Sequence, residues 1–265
     1  MNKNFSQEFV FQVFSLIIAV IVVHAIYVTV IRPNAVAIQE EQRIQMAQNP
    51  DFEPERSGYV IVKDFEQEAC FILMLWAFSI MGYKAYTAIR ERQLLNQNIV
   101  PIAEGVRILP EDSREYSRQL QALPDSERTL LLPRTMLNAL QRFGATRNVQ
   151  DVSSATHTLV SSEAERLESE LSMVRYIAWA IPSIGFIGTV RGIGSALGLA
   201  HRAVDGDISG VTESLGVAFN STFIALLISI VVMFLVYQLQ LLQERLVFET
   251  EFYVDQNLIR HMQTS

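Results

Sequence analysis

The sequence predicts an all-α integral membrane protein with four transmembrane helices and long cytoplasmic helical extensions. Three observations carry that expectation. The 265-residue chain is 50% hydrophobic and only 18% charged, against about 25% charged residues in an ordinary soluble domain. Four apolar stretches, Phe9–Ile31, Ala69–Ala88, Met173–Leu199 and Leu215–Leu242, each approach the roughly 20 residues that carry a helix across about 30 Å of hydrocarbon. Helical patterns also run past the apolar ends of the last two stretches.

Residues 1–31 make the N-terminus and first span. Its apolar run exceeds the roughly 7–15 residues of a signal peptide, and Lys3 is the only basic residue before it, so it reads as an uncleaved span. Residues 32–68 form an outer loop, acidic on balance through Glu40, Glu41, Asp51, Glu53, Glu55, Asp64 and Glu66. Residues 69–88 are the second span. Residues 89–172 read as cytoplasmic helical pieces broken by Pro101, Pro110, Pro124 and Pro133, with Asp125 placed to cap a helix. This region is expected to be too short and too charged to bury a large independent core. A capping box, Ser162-x-x-Glu165, opens a pattern in which Leu167 and Leu171 recur at i+4 and run into the third span. Residues 173–242 hold the third and fourth spans around a short hairpin. Residues 243–265 continue the last helix, which from about Thr212 to Ile259 would be roughly 70 Å long. Lys84, Arg90, Arg92, Arg166, Arg175 and Arg245 flank the spans on one side. Basic flanks mark the cytoplasmic face, so both termini are expected there.

The formal net charge of −7 excludes a basic face for nucleic acid. Cys70 is the one cysteine and lies in an apolar run, so neither an intrachain disulfide nor a zinc ligand set is available; a packing role is expected. No nucleophile–base pair or phosphate-binding glycine loop stands out, and the chain reads as neither an enzyme nor a cofactor or metal binder. Asp205-Gly206-Asp207-Ile208-Ser209-Gly210 imitates the start of a calcium loop, yet Gly216 occupies the position that needs a bidentate Glu. A turn is expected there. His24, inside the first span, reads as a packed or interface histidine rather than a proton relay.

The chemistry concentrates in the last two spans. On a helix, Gly185, Gly188, Thr189, Gly192 and Ala196 share one face, and Ser214, Ala218, Thr222, Ala225 and Ser229 form a matching stripe. Small residues let membrane helices approach closely, so Gly185, Gly188, Gly192, Ala218, Ala225 and Ser229 are candidate packing residues of an antiparallel pair. Thr189 and Thr222 each lie about ten residues from the hairpin, roughly 15 Å along the helix. Taken singly, each threonine is expected to bond its own i−4 carbonyl. Their common depth makes a shared site the sharper reading. Arg191 is an intramembrane charge, and its offset of about 200° from Thr189 turns it away from that site, toward lipid phosphate or a neighbouring subunit. No Asp or Glu falls inside the four stretches, and no carboxylate of this chain is expected at the level of the threonines.

The segment Gly185-Phe186-Ile187-Gly188-Thr189-Val190-Arg191-Gly192-Ile193 resembles the glycine-threonine motif of the MotA/TolQ/ExbB proton-channel family. Ala218-Phe219-Asn220-Ser221-Thr222-Phe223-Ile224-Ala225-Leu226 resembles that family's last-span threonine motif, and the likeness extends over roughly Arg166–Leu242. Arg191 departs from the aromatic residue that family members often carry after Gly-Thr-Val. The resemblance implies a subunit of a bacterial inner-membrane motor, with the outer loop in the periplasm. It further implies a homopentamer around a single-span partner of the MotB/TolR/ExbD kind, whose membrane aspartate carries a proton or sodium ion past Thr189 and Thr222. The rival expectation is a four-span scaffold that conducts nothing. The driven process stays open between motility, outer-membrane transport, envelope maintenance and defence.

Overall fold

The computed structural model describes residues 3–49, 52, 57–102 and 105–264, with residues 3–7 as backbone only. Asp51, Glu53 and Glu55 of the expected acidic loop lie outside those residues. Among the described residues the chain is helical without a strand; Ile108 and Met262 form an isolated parallel bridge. Four helical stretches, Glu8–Gln48, Phe65–Leu94, Val149–Gly198 and Ser209–His261, are long and apolar enough to cross a membrane. The chain is therefore a multi-pass helical membrane protein. It divides into two compact units, Met1–Met81 with Met173–Val236 and Gly82–Ser172 with Tyr237–Ser265.

In the first unit, α1 (Lys3–Ile26) passes through a π-turn at Tyr27–Ile31 into α2 (Arg32–Gln48). The outer loop expected over 32–68 is thus largely helical. Pro33 lacks the N–H that a straight ladder needs, and the widened turn just before it absorbs the fault. Asn34 Nδ2 donates to the Val30 carbonyl at 2.7 Å. Beyond the proline, Ala, Gln and Glu are good helix formers. A short helix, α3 (Gly58–Val62), precedes α4 (Phe65–Leu94), which begins ahead of its apolar run. Glu66 and Glu68 occupy the first turn of α4, where the positive end of the helix dipole favours carboxylates. Glu68 accepts from His24 Nδ1 at 2.7 Å and from Arg32 Nη2. The Arg32 guanidinium lies 4.4 Å from the Phe65 ring centroid and 5.6 Å from that of Tyr27. Cys70 is buried against α9 (Ser172–Gly198), its thiol 3.6 Å from the Ile181 carbonyl oxygen. After α9 come α10 (Ala200–Val204) and α11 (Ser209–Asn257). Between them Gly206 takes φ +92°, and Asp207 accepts from the Ser209 amide at 3.2 Å and hydroxyl at 2.5 Å. These bonds hold its carboxyl below the usual range. The segment is a capped turn.

The second unit contains α5 (Ser113–Gln121), α6 (Asp125–Arg128), α7 (Leu131–Thr146) and α8 (Val149–Glu170). Two local readings change here. Asp125 is the first residue of α6, and it accepts from Arg128 rather than capping the backbone. The cap of α8 is Asn148, whose side chain accepts from the amides of Gln150 and Asp151, so Ser162 lies mid-helix. Pro133 stands in the first turn of α7, where a missing N–H costs nothing. Only Leu171 separates α8 from α9.

This region does take part in a core, though not an independent one. Leu120, Met136, Leu140, Phe143 and Val152 form a buried cluster with Val254, Leu258 and Met262. The end of α11 and the residues after it supply the apolar face that residues 89–172 lack by themselves. Charged side chains surround this core. Glu163, 8% exposed, accepts from Arg134 at 2.6 Å and from Arg166 at 2.5 Å, while Arg92 grips Glu249 with two hydrogen bonds of 2.9 and 2.7 Å. Burial raises the Glu163 carboxyl, but the hydrogen bonds from Arg166 and Arg134 outweigh it and hold the group below its ordinary range. Glu91, which accepts from the Leu131 amide at 3.2 Å, is raised because burial dominates.

Candidate functional site

Helices α9 and α11 meet along the small-residue faces because no larger residue fits. A Cβ on Gly188 would stand 2.5 Å from the Ser221 Cβ. One on Gly192 would stand 2.7 Å from both the Ala218 nitrogen and the Ser214 oxygen, and one on Gly185 would collide with the Ala225 Cβ. Ala218 and Ala225 are fully buried. The Ser229 hydroxyl donates to the Ala178 carbonyl at 3.3 Å. All six residues singled out for packing therefore lie on the contact. Gly194, Gly198 and Gly216 face open space.

Thr189 and Thr222 are brought into contact, hydroxyl to hydroxyl. Each also reaches a carbonyl of the other helix. Thr189 Oγ1 is 3.0 Å from the Ala218 oxygen, and Thr222 Oγ1 is 3.0 Å from the Gly185 oxygen. Ala218 is residue i−4 of Thr222, and Gly185 is residue i−4 of Thr189. The threonines have exchanged the carbonyls that each would bond alone, and Thr189 is 3.4 Å from its own. A hydroxyl has one proton and two acceptor lone pairs. The pair has two protons for three contacts, the two carbonyls and one another, so one contact is without a proton at any moment, and oxygen lone pairs remain to accept from water or a hydronium ion, or to coordinate sodium. Both threonines are half-buried.

Arg191 differs from expectation. It binds within its own chain, to Glu66 at the start of α4, with Nε 2.7 Å from Oε1 and Nη2 2.7 Å from Oε2. Glu66 is only 11% exposed, and its Cγ would lie 3.1 Å from a Cβ on Gly188. Gly188 is the residue before Thr189, so a carboxylate of this chain does reach the level of the threonines. Sequence reading missed it because Glu66 falls before the apolar run of its helix, whose first turn nevertheless packs against Gly188 and Ser221. Gln67 Nε2 confirms that approach, donating to the Ile61 carbonyl at 3.1 Å and lying 3.4 Å from Ser221 Oγ.

These features define the class: a multi-pass helical membrane protein with a hydroxyl-bearing polar seam between two close-packed spans. Residues 128–251 match the MotA/TolQ/ExbB proton channel family. Across this segment, a little under half of its length, the chain is similar to that family. The match takes in both threonine motifs and extends beyond the stretch on which the resemblance was read. No curated protein and no solved structure matches the chain.

Proposed function

We propose that the chain is the ring-forming subunit of a bacterial inner-membrane motor that draws its work from a proton or sodium gradient. Five copies surround a single-span partner of the MotB/TolR/ExbD kind, both termini face the cytoplasm, and the second unit forms the cytoplasmic extension. The partner's membrane aspartate takes up and releases the ion beside Thr189 and Thr222, and no step makes or breaks a covalent bond other than to a proton. The observation that carries this reading is the contact of the two hydroxyls across α9 and α11, inside the segment matched to the family. A hydroxyl pair with spare lone pairs suits a carboxylate that alternates between protonated and ionised states, because it can donate to one state and accept from the other.

The reciprocal bonding also supports the rival, a non-conducting scaffold whose threonines only lock two helices. Thr189→Val with Thr222→Val separates the two. The shape is kept, while the lost cross-helix bonds cost about 0.5–1.5 kcal/mol each. The variant, purified with its partner, should assemble as a pentamer by native mass spectrometry yet lose ion-driven activity measured in the same membranes. Thr→Ser at either position should keep part of the activity. Full activity in the double valine variant returns both threonines to packing.

A further inference from the structure

We infer that Glu66 is the counter-charge of Arg191 and sets the cation permeability of the seam, a positioning role that rests on the ion-path reading above. Three carboxylates stand at the entry of α4, and each faces a cation. Asp64 lies 3.4 Å from Lys63 Nζ, Glu66 takes Arg191 with both oxygens, and Glu68 takes Arg32 together with His24. Glu66 alone among the three pairs with the helix that carries Thr189. Its side chain passes over Gly188, about 15 Å along α9 from the hairpin. Both oxygens being engaged by one guanidinium, Glu66 serves as a fixed balancing charge and leaves ion carriage to the partner's carboxylate.

Arg191 is two residues beyond Thr189, and a lone guanidinium there would repel any cation moving along the seam. One uncompensated charge about 10 Å from the path, at an effective dielectric of about 20, slows a cation roughly ten-fold or more. Glu66 removes that barrier. A mere strut between α4 and α9 would behave differently, because either half of the pair would then matter equally.

A charge cycle on the complete complex distinguishes these cases. Wild type, Glu66→Gln, Arg191→Gln and the double variant are reconstituted with the partner in vesicles under an imposed membrane potential. Proton entry is read by a trapped pH dye and sodium entry by radioactive sodium. Complex yield is read by size-exclusion chromatography. Glu66→Gln should lower the flux roughly ten-fold per assembled complex, Arg191→Gln should not lower it, and the double variant should recover most of the loss. Equal losses in both single variants, with no recovery in the double, would reduce the pair to a strut. Flux lost in both variants that lack Glu66 but kept in Arg191→Gln would make Glu66 an ion carrier, and the inference would fail. If Glu66→Gln does not assemble, the comparison of Arg191→Gln with the double variant still decides between counter-charge and carrier. A wild-type complex that passes neither ion overturns the ion-path reading itself.

Discussion

Across α9 and α11 the contact is made by residues with almost no side chain: Gly185 on Ala225, Gly188 on Ser221, Gly192 on Ala218. Around α7 it is made by Phe143, Met136, Leu140 and Leu120, each fully buried. Hydrocarbon tails are as apolar as leucine, so burying leucine between two spans gains little, and close backbone approach with cross-helix hydrogen bonds must hold the pair. In the second unit, where arginine–carboxylate pairs cover the surface, apolar burial supplies the gain, at about 25 cal/mol per Å². The first contact should therefore fail when one atom is added, and the second when many are removed.

Gly192→Ala tests the first half and should have the largest effect. Its new Cβ meets two backbone atoms at 2.7 Å, which cannot swing aside. Yield of assembled complex should fall below detection, whereas Gly194→Ala, with nothing within 4 Å, should leave it unchanged. Equal yields from the two would mean that the helices do not approach this closely.

Phe143→Ala tests the second half. Emptying this buried position costs about 3–5 kcal/mol, seen as a lowered unfolding transition of the second unit by hydrogen exchange. Assembled complexes that survive should retain the Thr189–Thr222 contact, checked by disulfide trapping of a cysteine pair at those positions. Loss of trapping would show that the two kinds of packing are not independent.

The smallest effects concern two carboxylates of the second unit, the buried Glu163 and the half-buried Glu91, which titrate in opposite senses. Glu163 is held below its ordinary range, so the stability it gives is present above about pH 4.3, the ordinary carboxylate value, and is lost as pH falls through its lower folded value. Glu91 is raised, so its favourable protonated form is lost as pH climbs from that same ordinary value through its folded one. Thermal melts should show Glu163→Gln destabilising by about 2–3 kcal/mol at pH 7, with the difference narrowing in acid. Glu91→Gln should stabilise slightly at pH 7, and its advantage should shrink toward pH 4. Parallel pH profiles for the two variants would contradict the assignment.

Periodic signals were the legible ones. The four apolar runs and the two small-residue stripes follow from spacing alone, and the same spacing places Thr189 near Thr222. Features that depend on distant segments were not legible. The core of the second unit needs Val254, Leu258 and Met262, about a hundred residues from Phe143 in sequence. Glu66 escaped notice because hydropathy ends a span where charge begins, while a helix ends where its backbone bonding does. Helical geometry turns Arg191 from the threonines, but its partner comes from α4, which no periodicity within α9 could reveal. Ser162 looked like a cap by local pattern, yet Asn148 had already opened the helix.

The π-turn at Tyr27–Ile31 also fixes a phase. His24 and Arg32 are eight residues apart, which on a straight α-helix would leave them about 80° out of line. One extra residue absorbed in the widened turn takes back about 100°, so both side chains face Glu68, and both bind it. Straightening the turn with every residue kept would swing all that follows by about 100°, leaving His24 on Glu68 while carrying Arg32 away, whereas deleting one residue between 27 and 31 would restore the ladder and keep the two in phase, because seven residues fall within about 20° of two full turns. The turn thus works as a vernier, converting a defect in the backbone into the alignment of two side chains on one carboxylate.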